Sequence, residues 1–105
     1  MILVIGHALA KPDTLQAMLA ISTEHVLRSR AEPGWISHEV STDVQEPLPL
    51  TFVERWSDMD ALQAHFRVDA SRAFAKALSA MAEGTPEFHV YRSEVIDLSA
   101  GRARA

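Results

Sequence analysis

The chain has 105 residues, of which 48% are hydrophobic and 23% charged; this is typical of one globular domain and excludes a multidomain enzyme. Acidic residues outnumber basic ones by 14 to 10, and no basic stripe with interleaved aromatic residues occurs, which excludes nucleic acid and anionic membrane surfaces as partners. The absence of cysteine excludes disulfides, thiolate metal sites and thiol nucleophiles.

The first predicted element is a strand over residues 2–8, which is rich in β-branched side chains. Leu3 and Ile5 lie on one face of this strand and Ile2 and Val4 on the other, so both faces need cover. This apolar start is too short to cross a bilayer and lacks the charged region of a leader peptide. We therefore expect a soluble cytoplasmic protein.

A helix and a hairpin are predicted next. Apolar side chains recur at helical spacing over residues 13–30, with Asp13 as the predicted N-cap. The proline and glycine within residues 32–34 favour a type II turn. Strands follow over residues 35–42 and 50–56, and the link between them is too short for a crossover helix. These two strands should therefore pair as an antiparallel hairpin.

Two more helices are predicted before the last strand. Ser57 and Asp60 have the spacing of a capping box, in which the two side chains satisfy the first amides of a helix. This predicts a helix over residues 58–66. Apolar side chains at i, i+3, i+4 and i+7 predict a further helix over residues 71–81.

The end of the chain is predicted to be a strand and a tail. Gly84 and Pro86 are expected to close the preceding helix. Residues 87–97 are expected to carry the last strand, Phe88–Arg92, with an extension to Val95 and Ile96 left open. Residues 99–105 are small and basic and are predicted to be a disordered tail. This leaves a single domain over residues 1–98.

The predicted order, β-α-β-β-α-(α)-β, is the split βαβ arrangement of an α+β, ferredoxin-like fold with an antiparallel sheet. In this fold the helices cover only one face of the sheet, although the first strand is apolar on both. Leaving Ile2 and Val4 exposed would lose about 1.5 to 3 kcal/mol for each side chain. We therefore expect a homodimer in which two sheets pack against each other.

Several segments resemble the antibiotic biosynthesis monooxygenase (ABM) family of small dimeric α/β-barrel proteins. They are EPGW at residues 32–35, ERW at 54–56, ALQAH at 61–65, and Phe74 followed by Leu78; with the first strand they cover about residues 1–97. The resemblance implies a homodimer whose sheets form a barrel, with a ligand cavity between the sheet and the helices of each subunit. It does not fix the reaction, because the family includes cofactor-free quinone-forming oxygenases, haem-degrading oxygenases and an isomerase of a small signal molecule.

Each of these chemistries can be compared with the residues of this chain. Where the aromatic-polyketide oxygenases have asparagine, tryptophan, tyrosine and arginine, the matching positions hold Phe52, Trp56, Leu62 and Ala75. Only the tryptophan agrees. In the haem-degrading branch the iron-binding histidine would fall on Ala75, so haem is not expected. The branch that includes the isomerase keeps a histidine at the position of His65, which is the nearest chemical match.

Two histidines are the catalytic candidates. His65 should point inward and shuttle protons because it shares a helix face with Leu62; the alternative is a packed core histidine. If the strand face of His7 meets the helices, His7 and His65 line one cavity; the alternative is a strand-end histidine near water. The predicted substrate-binding residues are Trp56, Phe52, Leu62 and Phe74.

The other histidines are given no catalytic role. His38 is predicted to pack in the core, His25 to lie on the flank of the first helix, and His89 to alternate away from its apolar neighbours. No two histidines lie at i, i+4 on one helix and no H-x-H occurs, so no metal site is expected. Such a site would need residues gathered from separate strands. Glu54 and Arg55 alternate along a strand, so only one of them can face the pocket.

The sequence therefore favours a cofactor-independent monooxygenase that acts on a small aromatic or enolisable metabolite, without metal, flavin or haem. His65 or His7 would deprotonate a phenol or enol, and the resulting carbanion would react with O₂ directly. Two alternatives remain open. One is an isomerase of a small oxygenated metabolite, and the other is a non-catalytic dimeric module that binds a small ligand.

Overall fold

The computed structural model describes residues 1–99, in which three helices lie on one face of a four-stranded antiparallel sheet. The elements are β1 (Ile2–Leu9), α1 (Leu15–Ser29), β2 (Trp35–Thr42), β3 (Pro49–Trp56), α2 (Met59–Arg67), α3 (Asp69–Met81) and β4 (Glu83–Arg92). The strand order is β2-β3-β1-β4, and all neighbouring strands are antiparallel. This is the ferredoxin-like arrangement, and the predicted α+β fold is confirmed.

Burial alternates along β1 and shows which face of the sheet the helices cover. Ile2 and Val4 are 3% and 1% exposed and pack against α2, whereas Leu3 and Ile5 are half-buried on the open face. The prediction that Ile2 and Val4 would lie on the uncovered face is therefore wrong. The apolar side chains that need a partner are Leu3 and Ile5, with Val53 beside Ile5 on β3.

Two apolar clusters fill the space between the sheet and the helices. The first contains Ala8, Ala10, Met18, Leu50, Phe52, Leu78 and Ala82, and the second contains Ile2, Val4, Trp56 and Leu62. On the covered face of β3, Glu54 lies between Phe52 of the first cluster and Trp56 of the second. The strand therefore places a carboxylate between two apolar clusters.

The turn over residues 32–34 joins α1 to β2 and requires glycine at its third position. Gly34 has a φ of +78°, a conformation that side-chain-bearing residues rarely adopt. A Cβ at Gly34 would lie 2.4 Å from the Cβ of Ala61 and 2.7 Å from the Oγ of Ser57. The beginning of α2 thus packs directly against the turn, and this contact fixes the position of Glu32.

Two helices have N-caps that differ from the sequence prediction. The N-cap of α2 is Asp58, whose carboxylate accepts a hydrogen bond from the backbone N–H of Ala61 at 2.8 Å. The predicted capping box over residues 57–60 is therefore replaced by a single carboxylate cap. The N-cap of α1 is Thr14 rather than Asp13, and its side chain does not bond to the amides of the helix.

The last strand begins earlier than predicted. It begins at Glu83 instead of Phe88, ends at Arg92 as predicted, and does not extend to Val95 and Ile96. Gly84 and Pro86 lie inside this strand, although they are predicted to close the helix before it. β4 is an edge strand of the sheet. An edge strand can accommodate a proline, because on its outer side no neighbouring strand needs the backbone N–H that proline lacks.

The predicted tail over residues 99–105 lies outside the described residues, except for Ser99, whose hydroxyl donates to the carboxylate of Asp97 at 2.7 Å. Over residues 1–99, none of the helices combines the length and the apolar character that crossing a membrane requires.

Candidate functional site

A cavity of about 250 Å³ opens between the covered face of the sheet and the helices. Its apolar lining includes Phe52, Phe66, Phe74, Leu78 and Phe88. Its polar lining includes His25, His38, Glu54, His65, Ser71 and Arg72. An apolar space with a few convergent polar groups is the usual form of a small-molecule site.

Three histidines from three different elements meet at the polar end of this cavity. His25 from α1, His38 from β2 and His65 from α2 are 5%, 1% and 3% exposed. One ring nitrogen of each lies within 4.8 Å of those of the other two. We call these three residues the histidine cluster. Buried imidazoles need polar partners, because their ring nitrogens otherwise lose the hydrogen bonds that water provides.

His65 is held by a carboxylate. Its Nδ1 lies 2.7 Å from Oε1 of Glu32. A carboxylate accepts hydrogen bonds, so the neutral ring carries its proton on Nδ1 and has a free electron pair on Nε2. Nε2 lies 3.7 Å from Oε1 of Glu54, which is too far for a hydrogen bond. The ring also packs against Trp56, with 4.7 Å between the ring centroids.

His38 is held in the same way by a hydroxyl group. The Oγ of Ser29 donates to the carbonyl of Val26 at 2.7 Å and therefore accepts from Nδ1 of His38 at 2.9 Å. This leaves the electron pair of Nε2 free, 3.7 Å from Oε2 of Glu54. The two oxygens of one carboxylate thus face two imidazole nitrogens, one each.

His25 completes the cluster from the helix side. Its ring stacks on Phe74, with 4.0 Å between the centroids and 6° between the planes. Nη2 of Arg28 donates to its Nδ1 at 2.8 Å. Burial, and then the neighbouring His38, lower the pKa of His25 to about 3. Burial, and then the neighbouring His65, lower the pKa of His38 to about 3. Both imidazoles are therefore neutral at pH 7.

Glu54 is the carboxylate at the sheet side of the cavity, and it is 8% exposed. Burial raises its pKa, and the hydrogen bond that Nε1 of Trp56 donates to Oε1 at 3.0 Å opposes this effect. Arg55 points to the open face of the sheet, where it contacts Ser37 and Glu39. The strand alternation therefore assigns Glu54, and not Arg55, to the cavity.

The structure separates the four predicted substrate-binding residues into two pairs. Phe52 and Phe74 line the cavity. Trp56 and Leu62 are 0% exposed and belong to the second apolar cluster instead of the cavity lining. The indole of Trp56 packs behind His65, so it supports the site without being open to a ligand.

His7 borders the cavity, but its ring is directed away from His65. Gly6 occupies the covered face of β1, so the side chain of His7 extends from the opposite face. There it is exposed, and its Nδ1 lies 3.3 Å from the Oγ1 of Thr51, its partner across the β1 and β3 ladder. The side chain of His65 therefore lies beside those of His25 and His38, and the ring of His7 lies on the opposite face of the sheet.

Sequence reasoning missed two residues of the site, His25 and Glu32, and left Glu54 and Arg55 as alternatives for the cavity. His25 is buried and not on the flank of its helix, and the signal for this was its spacing to the other residues on the buried face of α1. That face consists of Met18, Ser22, His25, Val26 and Ser29. Glu32 lies in a turn, where no periodicity marks a side chain that faces inward.

Comparison with known proteins gives a family match and one curated relative. The sequence model of the family described as Antibiotic biosynthesis monooxygenase matches residues 1–77. An uncharacterized protein of Synechocystis sp. is 30% identical over 91 residues, which cover 87% of this chain and 62% of that protein. The chain thus spans less than two thirds of the length of this relative.

Solved structures share the fold. A protein whose structure is described as an antibiotic biosynthesis monooxygenase superposes with a TM-score of 0.82 at 22% identity, covering 90% of this chain and 100% of its own. A conserved protein of Methanosarcina mazei Go1 superposes with a TM-score of 0.84 at 26% identity, covering 89% and 92%. At 22% identity, the first similarity shows the fold alone.

Proposed function

Because the chain belongs to the antibiotic biosynthesis monooxygenase family, we propose that it is a monooxygenase acting on a small aromatic or enolisable metabolite without metal, flavin or haem. The observation that carries the proposal is the pairing of His65 with Glu32 at the polar end of the cavity, at 2.7 Å. This pairing leaves Nε2 of a neutral His65 free to accept a proton. The half-buried carboxylate of Glu32 stabilises the imidazolium that forms when Nε2 accepts the proton.

In the proposed reaction, Nε2 of His65 removes a proton from an activated carbon of the substrate. The resulting carbanion transfers electrons to O₂ and forms a carbon–oxygen bond, and the peroxide takes the proton back from His65. Loss of the second proton from the same carbon breaks the oxygen–oxygen bond and gives a carbonyl group and water. The sum, CH₂ + O₂ → C=O + H₂O, balances without an external reductant.

The cavity lining supports a small, flat substrate. Phe52 and Phe74 offer aromatic faces, on which another ring can stack. The hydroxyl of Ser71 is buried at the cavity and has no hydrogen-bond partner among the described residues, so it is available to a substrate oxygen. A volume of about 250 Å³ is below the range of about 300 to 1,000 Å³ that drug-sized ligands occupy. The substrate is therefore of modest size.

Oxygen uptake tests the proposal. The wild-type chain is assayed with anthrones, naphthols and quinols beside His65→Ala and Glu32→Gln, with Gln63→Ala on the exposed side of α2 as the control. We expect saturable uptake that His65→Ala lowers by about 10² to 10⁴-fold, the usual contribution of a general base. Glu32→Gln should lower kcat more than it raises KM, and Gln63→Ala should change neither. Saturable binding without oxygen uptake by any of these compounds would refute the oxygenase.

An isomerase is the second candidate. Trp56 is the only residue that agrees with the oxygenase positions, and it does not border the cavity. In an isomerase His65 would move a proton between two carbons and consume no oxygen. Anaerobic incubation of a bound carbonyl compound in D₂O would then show deuterium exchange that depends on His65. A chain that binds such compounds without oxygen uptake or exchange would be a binding module.

The proposal includes a homodimer formed through the open face of the sheet. Leu3, Ile5 and Val53 form an apolar centre on this face, and Tyr91 beside Leu3 is 47% exposed. Burying these side chains against a second copy would recover about 25 cal/mol for each Å² removed from water. We expect a dimer by light scattering at micromolar concentration. Ile5→Lys should give a monomer, with Gln63→Lys on α2 as control, and a wild-type monomer would contradict the dimer.

A further inference from the structure

We propose that the histidine cluster, together with the carboxylate of Glu54, is a binding site for a divalent transition-metal ion such as Zn²⁺. The inference goes beyond the proposed function and does not depend on it. Imidazole nitrogen and carboxylate oxygen are common ligands of Zn²⁺, and imidazole also suits copper, iron and nickel.

The spacing of the three histidine nitrogens is close to what one ion requires. Zinc–nitrogen bonds measure about 2.0 to 2.1 Å, so two nitrogens on a tetrahedral ion lie about 3.4 Å apart. The cluster nitrogens lie within 4.8 Å of one another. The widest pair must therefore approach by roughly 1.4 Å at most, which small side-chain rotations can supply.

The hydrogen bonds around the cluster are those of metal ligands. A histidine that binds a metal usually donates its other N–H to a carboxylate, a carbonyl or a similar acceptor. Glu32 takes the Nδ1 proton of His65, and the hydroxyl of Ser29 takes that of His38. Both Nε2 electron pairs are thereby directed to the same end of the cavity.

The contacts of Glu54 point to a cation. Each of its oxygens lies 3.7 Å from an Nε2, one of His65 and one of His38. The Nε2 electron pairs left free by the contacts with Glu32 and Ser29 face oxygens that also carry electron pairs, and at 3.7 Å neither pair forms a hydrogen bond. A cation at this point would contact all of them and would compensate a negative charge on Glu54.

Arg28 is the group that competes with an ion at His25. It donates to Nδ1 at 2.8 Å. Ligation through Nδ1 needs this electron pair, and ligation through Nε2 needs the proton on Nδ1, so Arg28 must turn away in either case. Arg28 is half-buried and near the end of α1, and it can reach solvent. Arg28→Gln should therefore tighten metal binding.

Metal binding and proton abstraction exclude each other in this site. Nε2 of His65 has one electron pair, which either binds the ion or accepts a proton. The metal-loaded chain should therefore be inactive in any reaction that uses His65 as the base. A metal-free and a metal-bound form of the same chain would then differ in activity and share one fold.

Cobalt binding tests the proposal on the chelator-treated, untagged full chain, without any substrate. Co²⁺ in a site with nitrogen ligands and low coordination number absorbs visible light far more strongly than the hydrated ion. We expect saturation at one Co²⁺ per chain and loss of the absorption when Zn²⁺ is added. Histidine side-chain NMR of the wild type with Zn²⁺ should shift His25, His38 and His65, and leave His7 and His89 unchanged.

Variants distinguish metal binding at this site from metal binding at surface residues. Ser29→Ala should weaken Co²⁺ binding by about 10 to 100-fold, as the loss of an outer hydrogen bond does. His38→Gln and Glu54→Gln should weaken it by at least that factor, and His89→Gln should not change it. The proposal is overturned if the wild type binds no Co²⁺ or if Zn²⁺ shifts only the exposed histidines. The NMR measurement uses the wild-type chain, so misfolding of a variant cannot affect its result. Neither the Co²⁺ measurement nor the NMR measurement requires an oxygenase substrate.

Discussion

Replacing Gly34 by alanine should destabilise the fold through two separable effects. The φ of +78° is unfavourable for a residue with a side chain, by about 1 to 2 kcal/mol. The new Cβ would also lie 2.4 Å from the Cβ of Ala61, and relieving such an overlap costs about 1 to 3 kcal/mol. Together the two effects should lower the free energy of unfolding by about 2 to 5 kcal/mol.

Gly84 provides the matched control. Its φ is +71°, and a Cβ built on it meets nothing within 4 Å. Gly84→Ala therefore shares the backbone effect and the loss of unfolded-chain entropy, but it has no overlap. The difference between the two variants in urea unfolding isolates the contact between the turn and α2.

A double-mutant cycle locates the overlap. Ala61→Gly removes the nearer of the two atoms that a Cβ at Gly34 would strike, the other being the Oγ of Ser57 at 2.7 Å, at a cost of about 1 kcal/mol for glycine in a helix. We expect the double variant to be more stable than the sum of the single changes predicts, by up to the overlap term of about 1 to 3 kcal/mol. If Gly34→Ala costs no more than Gly84→Ala, or if the cycle shows no coupling, the assignment of the contact is wrong.

Three further predictions address the cap, the cavity and the ion. Asp58→Ala should lower the free energy of unfolding in urea by about 1 kcal/mol, the usual value of an N-cap; an equal effect of Asp60→Ala would favour the capping box instead. Phe74→Ala should cost about 2 to 3 kcal/mol, less than a fully buried phenylalanine, and weaken the binding of aromatic compounds; unchanged binding would contradict its place in the cavity wall. Zn²⁺ at 100 times its Kd should stabilise the chain by about 2.7 kcal/mol in thermal unfolding, and a chelator should reverse this; no shift would contradict the metal site.

The sequence alone predicts the order of the elements, because the helical and strand periodicities are local properties of the chain. The antiparallel pairing of β2 and β3 also follows from the sequence, since the link between them is too short for the crossover helix that a parallel pair would need. Strand alternation predicts that only one of Glu54 and Arg55 can face the cavity. The inward direction of His65 follows from its spacing to Leu62 on one helix face.

Only the tertiary structure decided which face of the sheet the helices cover. The first strand is apolar on both faces, so its pattern is equally compatible with His7 inside or outside. Packing of α2 against Ile2 and Val4 settled this and turned His7 outward.

The histidine cluster is also a product of the tertiary structure. Its three members come from α1, β2 and α2, and no spacing along the chain joins them. Glu32 reaches His65 because a glycine turn packs directly on α2. Local periodicity carries information about neighbours a few residues apart, whereas the chemistry of this site depends on contacts between distant segments that only the packed fold brings together.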